Sequence, residues 1–288
     1  MPLANTLDLV RDARSAGYAV PAINIVDDLS LRACVAAADD LGSPLIIQTS
    51  VKTVRTVGSD VLSFLAYRAA DRAGVPVALH LDHCPDRRVI SEAIAHGWSS
   101  VLFDASDRDL ETARRETTEV VAEAHAVGVV VESEIENIVG VEDGVGGDEL
   151  SHAYSAETLV EVARECGADL IAPQLGTAHG LYVAEPKLLI DRVAELQRLD
   201  EVPVVLHGGT GLAAEDVRAF IEAGVSKINV STAVKLAYLH ACRDHLESAK
   251  TSGNWEPIKM FDDVANAVRA VIATHVDVFG SANRVGQR

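Results

Sequence analysis

The sequence is short of positive charge. Lysine and arginine together number 25 against 43 acidic residues, for a formal net charge of −18. Nucleic acid and anionic membrane surfaces are bound through basic patches that release counterions, so neither is expected as a partner. Cysteine is scarce too. Cys34, Cys84, Cys166 and Cys242 are widely spaced and form no C-x-x-C pair, which excludes a disulfide framework or a zinc ribbon and reads as a reduced, cytoplasmic chain. Long apolar runs are missing: none approaches the ~18 residues of a membrane span, and Asp8, Arg11, Asp12 and Arg14 interrupt the N-terminal segment. What remains is a globular composition, 48% hydrophobic and 24% charged over 288 residues. That length buries a sizeable core without disulfide or metal staples.

No strict repeat is visible, yet one punctuation recurs along the chain. A helix-periodic stretch ends in a glycine (Gly17, Gly42, Gly74, Gly97, Gly128, Gly167, Gly224), each suited to the left-handed turn that closes a helix, and an apolar run follows. The runs are 18–25, 44–50, 76–83, 100–106, 129–137, 170–176 and 227–232, with an eighth at 202–209 behind Asp200 and Glu201. Near-continuous apolar character suits strands buried on both faces of a parallel sheet. Eightfold strand–helix alternation predicts a single α/β domain over residues 1–288, a (β/α)8 barrel with extra helices at about 5–16 and 261–278. A doubly wound sheet would want a glycine-rich first turn, and the segment 25–29 is not one. One connection breaks the rhythm: residues 138–155 hold four glycines and four acidic residues after the fifth strand, and read as a mobile lid.

In such a barrel the chemistry collects at the C-terminal strand ends. Those ends carry Asn24, Ser50, Asp82 and His83, Asp104, Glu132 and Glu134, His179, His207, and Asn229 with Ser231. His83, His179 and His207 come from three strands and Glu134 from a fourth. Three neutral imidazoles with an open position are the composition of a catalytic metal site. Asp82, beside His83, is placed for proton transfer to or from a hydroxyl. His80 reads as a supporting group. The glycines of 208–211 open onto a helix at about 213–223, a phosphate site that needs no lysine. Only six lysines exist, and none but Lys52 is placed near a strand's C-terminal end, which disfavours Schiff-base chemistry. No H-x-H pair ends the first strand, which disfavours metal-dependent hydrolysis.

These residues fall in motifs spread over the whole chain: GYAVPAIN at 17–24, HLDH at 80–83, VESEI at 131–135, VEDG at 141–144, GTAHGLY at 176–182, LHGGTG at 206–211, KINVST at 227–232 and FGSANR at 279–284. In order and spacing the chain resembles the zinc-dependent class II ketose-bisphosphate aldolases, of fructose- and tagatose-1,6-bisphosphate type. The resemblance implies reversible cleavage of a ketose 1,6-bisphosphate to dihydroxyacetone phosphate and glyceraldehyde 3-phosphate. It implies that His83, His179 and His207 hold zinc or another divalent metal, with Glu134 as a ligand in an alternative or second position. By the same resemblance Asp82 exchanges a proton with the C4 hydroxyl, Glu142 moves the C3 proton, with Glu132 the next candidate, and Asn229 helps hold the enediolate. Gly180, Gly208, Gly209, Thr210, Ser231 and Thr232 cradle the phosphate, with sodium or potassium nearby; Ser50 and Arg269 are further phosphate candidates, the latter toward a neighbouring subunit. A homodimer or homotetramer is expected on the same ground.

The chain also departs from the family pattern. Val183 and Ala184 follow the tyrosine of HGLY where many fructose-type members have lysine, Ser231 stands where many have an acidic residue or asparagine, and 51–58 is poor in glycine. GTAHGLY and FGSANR look tagatose-like and HGGTG fructose-like, so the ketose stays open, a different phosphorylated ketose included. The competing expectation is a catalytically idle sugar-phosphate-binding barrel. Retention of both Asp82 and Glu142 argues against it.

Overall fold

The computed structural model describes residues 3–142, 145–147, 152–182 and 185–285, with the backbone alone at 141–142 and 145–146. The strands are β1 (Val20–Asn24), β2 (Leu45–Ser50), β3 (Val77–Cys84), β4 (Ser100–Asp104), β5 (Val130–Glu134), β6 (Val139–Glu142), β7 (Val145–Gly147), β8 (Leu170–Ile171), β9 (Ala178–His179), β10 (Val204–Leu206) and β11 (Val225–Val230). The helices are α1 (Thr6–Ala16), α2 (Asp28–Leu41), α3 (Val51–Val57), α4 (Ser59–Ala70), α5 (Arg87–Ala95), α6 (Leu110–His125), α7 (Ala156–Cys166), α8 (Ile190–Leu199), α9 (Ala214–Ala223), α10 (Thr232–Ser252) and α11 (Pro257–Val278). Eight strands close into a parallel barrel in the order β1-β2-β3-β4-β5-β8-β10-β11, and β7-β6-β9 form a separate small sheet. The expected (β/α)8 barrel is therefore present.

Alternation along the strands divides the apolar residues into two bodies. Outward side chains such as Ile23, Ile47, Leu79, Leu81, Val131, Leu206, Ile228 and Val230 meet the helices in one large core. Inward side chains Val20, Ala22, Ile46, Ala78, Val130, Leu170 and Val205 fill the lower barrel together with Leu9, Val10 and Ala13 of α1. Helix α1 thus stoppers the N-terminal end, capped by Asn5 at its start and by Gly17 in the left-handed region at its end. Higher up, the same inward rows turn polar: Asn24, Gln48, His80 and Asp82, Glu132 and Glu134, Lys227 and Asn229 are all buried.

One local expectation needs correction. Gly74 does not close a helix in the left-handed region; α4 ends at Ala70 with Asp71 as its C-cap, and Gly74 gives its N–H to the Asp39 carboxylate at 2.7 Å. The connection after β5 carries secondary structure of its own. It forms the antiparallel hairpin β6–β7, and β6 pairs in parallel with β9 through Val139↔Ala178 and Gly140↔His179. No helix of the described residues is long and apolar enough to cross a membrane.

Candidate active site and metal centre

In a regular strand, neighbours point to opposite faces, so Asp82 and His83 could not both face the mouth. β3 solves this with a register shift against β4 between Leu81 and Cys84, and with His83 in the left-handed region at φ 42°. A bulge re-aims one side chain at the end of a strand. A non-glycine residue held at positive φ is strained, as occurs where a site over-determines the backbone. Asp82 keeps its inward place, with its Oδ1 4.0 Å from His83 Nε2.

Three imidazoles meet above it. The His83 ring lies edge-on to those of His179 and His207, with centroid separations of 4.8 and 4.5 Å. Potential ligand atoms of His83, His179 and His207 all fall within 4.8 Å of one another, and so do those of His83, Asp104 and Glu134. His207 Nδ1 approaches His83 Nε2 to 2.9 Å. Glu134 Oε2 is buried 3.0 Å from His83 Nδ1 and 3.9 Å from His207 Nδ1, yet makes no hydrogen bond. An orphaned carboxylate oxygen facing clustered imidazole nitrogens is a donor set that fits a divalent cation. Asp104, marked by the sequence only as a strand-end residue, completes the second group; its other oxygen is occupied by the backbone and side chain of Ser106.

The electrostatics reflect this crowding. Burial pushes the Glu134 carboxyl up to about 8, with the Asp104 charge adding to it and His83 opposing it. Burial works to lower His83, but the Glu134 and Asp82 carboxylates outweigh it and hold the imidazole well above its ordinary value. Burial, with the neighbouring His83 charge, depresses His207 to about 4. The pair His83–Glu134 therefore retains a proton near neutrality that a cation would displace.

Beneath the histidines lies a network that the sequence alone does not assemble. His207 Nε2 sits 2.9 Å from Glu132 Oε1, and Lys227 Nζ donates to Glu132 Oε2 at 2.9 Å and to Asn229 Oδ1 at 2.8 Å. Asn229 Nδ2 donates to Asp82 Oδ1 at 3.1 Å, Asn24 Nδ2 to Asp82 Oδ2 at 2.9 Å, and Gln48 Nε2 to Asn24 Oδ1 at 2.6 Å. Glu132, the reserve candidate for proton transfer, is committed to this network. Burial alone would raise its pKa, but Lys227 and the His207 contact hold it well below the usual carboxylate range. His80 sits with Nε2 3.7 Å from Glu132 and Nδ1 2.8 Å from Ser100 Oγ. A lysine in a fully buried strand is the available signal for this network, because such a charge needs partners.

Between β10 and β11 the chain packs too closely for a side chain, which is why glycine stands at 208 and 209. A Cβ on Gly208 would lie 2.4 Å from the Ala178 carbonyl oxygen, and one on Gly209 2.7 Å from Ile228 and 2.9 Å from the Asn229 carbonyl oxygen. Helices α9 and α10 both start without a side-chain cap, and the buried Ser231 Oγ at the head of α10 has no hydrogen-bond partner. Thr210 Oγ1 accepts from the Ala233 N–H at 3.4 Å, beside Thr232. Tyr182 braces the loops, donating to the Gly208 carbonyl at 2.8 Å and accepting from the Ala178 N–H at 3.2 Å; Gly180 between them has φ 90°. Uncapped N–H groups at helix starts suit phosphate.

Ser50 also reaches the mouth, paired in register with Asp82, although its hydroxyl caps α3. Arg269 does not: it pairs with Asp40 at the end of α2, which faces the opposite end of the barrel, so the expected phosphate contact is not formed within this chain. Glu142 closes β6, whose partner strand carries His179, and its side chain lies outside the described residues, as do Val183 and Ala184.

Residues 4–284 match the family model described as class-II fructose-bisphosphate aldolase. Fructose-bisphosphate aldolase of Geobacillus stearothermophilus is 35% identical over the full length of both chains. That of Thermus caldophilus is 33% identical over 98% of this chain and 99% of the relative. The YdjI aldolase of Escherichia coli K12 superposes with a TM-score of 0.84 at 28% identity, covering 97% of this chain and 98% of that one. The match runs nearly end to end, and the chain belongs to the class II fructose-bisphosphate aldolase family.

Proposed function

We propose that the protein catalyses the reversible aldol cleavage of a ketose 1,6-bisphosphate to dihydroxyacetone phosphate and glyceraldehyde 3-phosphate with a divalent metal, zinc by its donor set. The observation that carries this reading is the convergence of His83, His179 and His207 beside Asp82 and Glu134, next to two uncapped helix starts. The ion would be held by the three histidines, with Glu134 and Asp104 offering an adjacent position, and when bound it supplies Lewis-acid stabilisation of the enediolate.

The chain's own groups do the rest. Asp82 accepts one amide N–H on each oxygen, from Asn229 and from Asn24, which fixes its plane and leaves lone pairs to exchange a proton with the C4 hydroxyl. Glu142, on the strand beside His179, supplies the carboxylate for the C3 proton when the lid closes. Gly180, Gly208, Gly209, Thr210, Ser231 and Thr232 hold the phosphate of the dihydroxyacetone half, and sodium or potassium there would balance its charge in a cradle without lysine. Ser50 lies on the side of the second phosphate. The names of the relatives favour the fructose epimer over tagatose.

A homodimer or homotetramer is supported by the exposed apolar side chains Leu239, Leu246, Trp255, Ile258 and Phe261 on and between α10 and α11. Four free cysteines and the acidic balance support a cytoplasmic setting. Chelation followed by a coupled cleavage assay tests the reading: activity is lost with the metal and returns with zinc, and fructose 1,6-bisphosphate is turned over faster than its C4 epimer. Full activity in metal-free protein, or a borohydride-trapped adduct on a lysine, overturns it.

A further inference from the structure

We propose that Lys227 is the positioning residue that joins the metal-holding side of the mouth to its proton-transfer side, an inference that rests on the function proposed above. Its ammonium is fully buried. It has two acceptors, Glu132 Oε2 at 2.9 Å and Asn229 Oδ1 at 2.8 Å. Each governs a different arm.

On the Glu132 arm, a carboxylate can only accept, so the His207 nitrogen 2.9 Å away, Nε2, carries the hydrogen. The lone pair is then on Nδ1, the atom facing His83. A carboxylate behind a histidine ligand sets its tautomer and ring orientation in this manner. Lys227 holds that carboxylate in place. On the other arm, the ammonium decides which way the Asn229 amide lies. With Oδ1 turned to Lys227, Nδ2 faces Asp82 and donates to it; reversed, an oxygen would meet the carboxylate. Asp82 is held on its other side through Asn24 and Gln48. Removing the lysine releases both arms at once.

The test is Lys227→Met, of similar length and without donors, beside the double variant Glu132→Gln/Lys227→Met. In the double variant the buried charge is gone, and the amide oxygen introduced by Glu132→Gln can still accept from His207. Zinc affinity is read by competition with a chromophoric chelator, with no substrate present. Lys227→Met is expected to weaken zinc by about 10–100-fold, the usual cost of losing a group behind a ligand. At saturating zinc its kcat should fall by about 100-fold with KM little changed, as for a misplaced reacting group.

The double variant should recover zinc affinity to within a few-fold while kcat stays low, because Asn229 is still unheld. Wild-type zinc affinity in Lys227→Met overturns the proposal, and so does recovery of kcat together with zinc affinity in the double variant. Where Lys227→Met fails to fold, the double variant decides alone: tight zinc with low kcat supports the bridge, and any other combination overturns it. A wild-type protein lacking zinc-dependent aldolase activity would instead count against the proposed function, while the zinc titration still reads the His207 arm.

Discussion

His207 extends β10 inside the barrel, buried, with Glu132 and Lys227 fixed beneath its ring. His179 stands on the two-residue β9 at the rim, half-buried, and its backbone pairs with the lid strand β6. One histidine is positioned by buried charge, the other by strands that the sequence punctuates with glycine. A metal site built from both is rigid on the barrel side. On the other side its geometry is tied to the β6–β7 hairpin, because the strand that carries Glu142 is the neighbour of the strand that carries His179.

The largest effects should separate ligands from lid. His207→Ala is expected to lose stoichiometric metal and to depress activity by more than the ~10²–10⁴-fold of a positioned acid or base. Glu142→Ala should cut kcat by about 10²–10⁴-fold while metal content and KM stay near wild type. Metal analysis with steady-state kinetics checks both, and solvent exchange of the C3 proton of dihydroxyacetone phosphate isolates the second. Wild-type exchange in Glu142→Ala would remove that carboxylate from its role and leave the lid side without chemistry.

The next effect is one of pH. In the metal-free protein His83 is raised well above its ordinary value and Glu134 to about 8, so the coupled pair retains a proton in the folded state that the unfolded chain would release. The stability this contributes is present in full below their unfolded values and is lost as pH rises through the folded ones. The metal competes with the same proton. Zinc affinity should therefore climb between about pH 6 and 8 by up to about tenfold per unit for each proton displaced, and calorimetry in two buffers of different ionisation enthalpy should register proton release at about pH 7. Binding without proton release would contradict the assignment of the pair.

A smaller and more local break is Gly140→Ala. Gly140 has φ 95°, and an added Cβ would lie 2.4 Å from the His179 carbonyl oxygen, so β6 and β9 must part. We expect a loss of about 1–3 kcal/mol in urea denaturation and zinc weakened by about tenfold, the low end for a disturbed supporting group. An unchanged zinc affinity would show that His179 is positioned independently of the lid strand.

How much of this can be read in the sequence follows the same division. Strands buried on both faces announce themselves as apolar runs, so the barrel and the strand-end cluster His83, His179, His207, Asp82 and Glu134 are legible. The β6–β9 pairing is not, because Gly140, Gly146 and Gly147 carry no periodic signal and pairing with β9 is a tertiary event. Lys227 escapes notice because its run reads as apolar continuity, whereas its inward row is the informative one. Asp104 lacks a partner in the sequence for the same reason, since its neighbour Glu134 comes from another strand. Within this chain Arg269 pairs with Asp40 at the far end of the barrel, which its position along a helix does not reveal.

The stopper made by α1 governs traffic. With Leu9, Val10 and Ala13 packed among the inward apolar side chains, the described residues fill the barrel beneath the site. Substrate arrives and both halves depart by the same doorway, under the same hairpin. Whichever half is held by the phosphate cradle is also the one that obstructs the next arrival, so accumulated product should compete directly with incoming ketose.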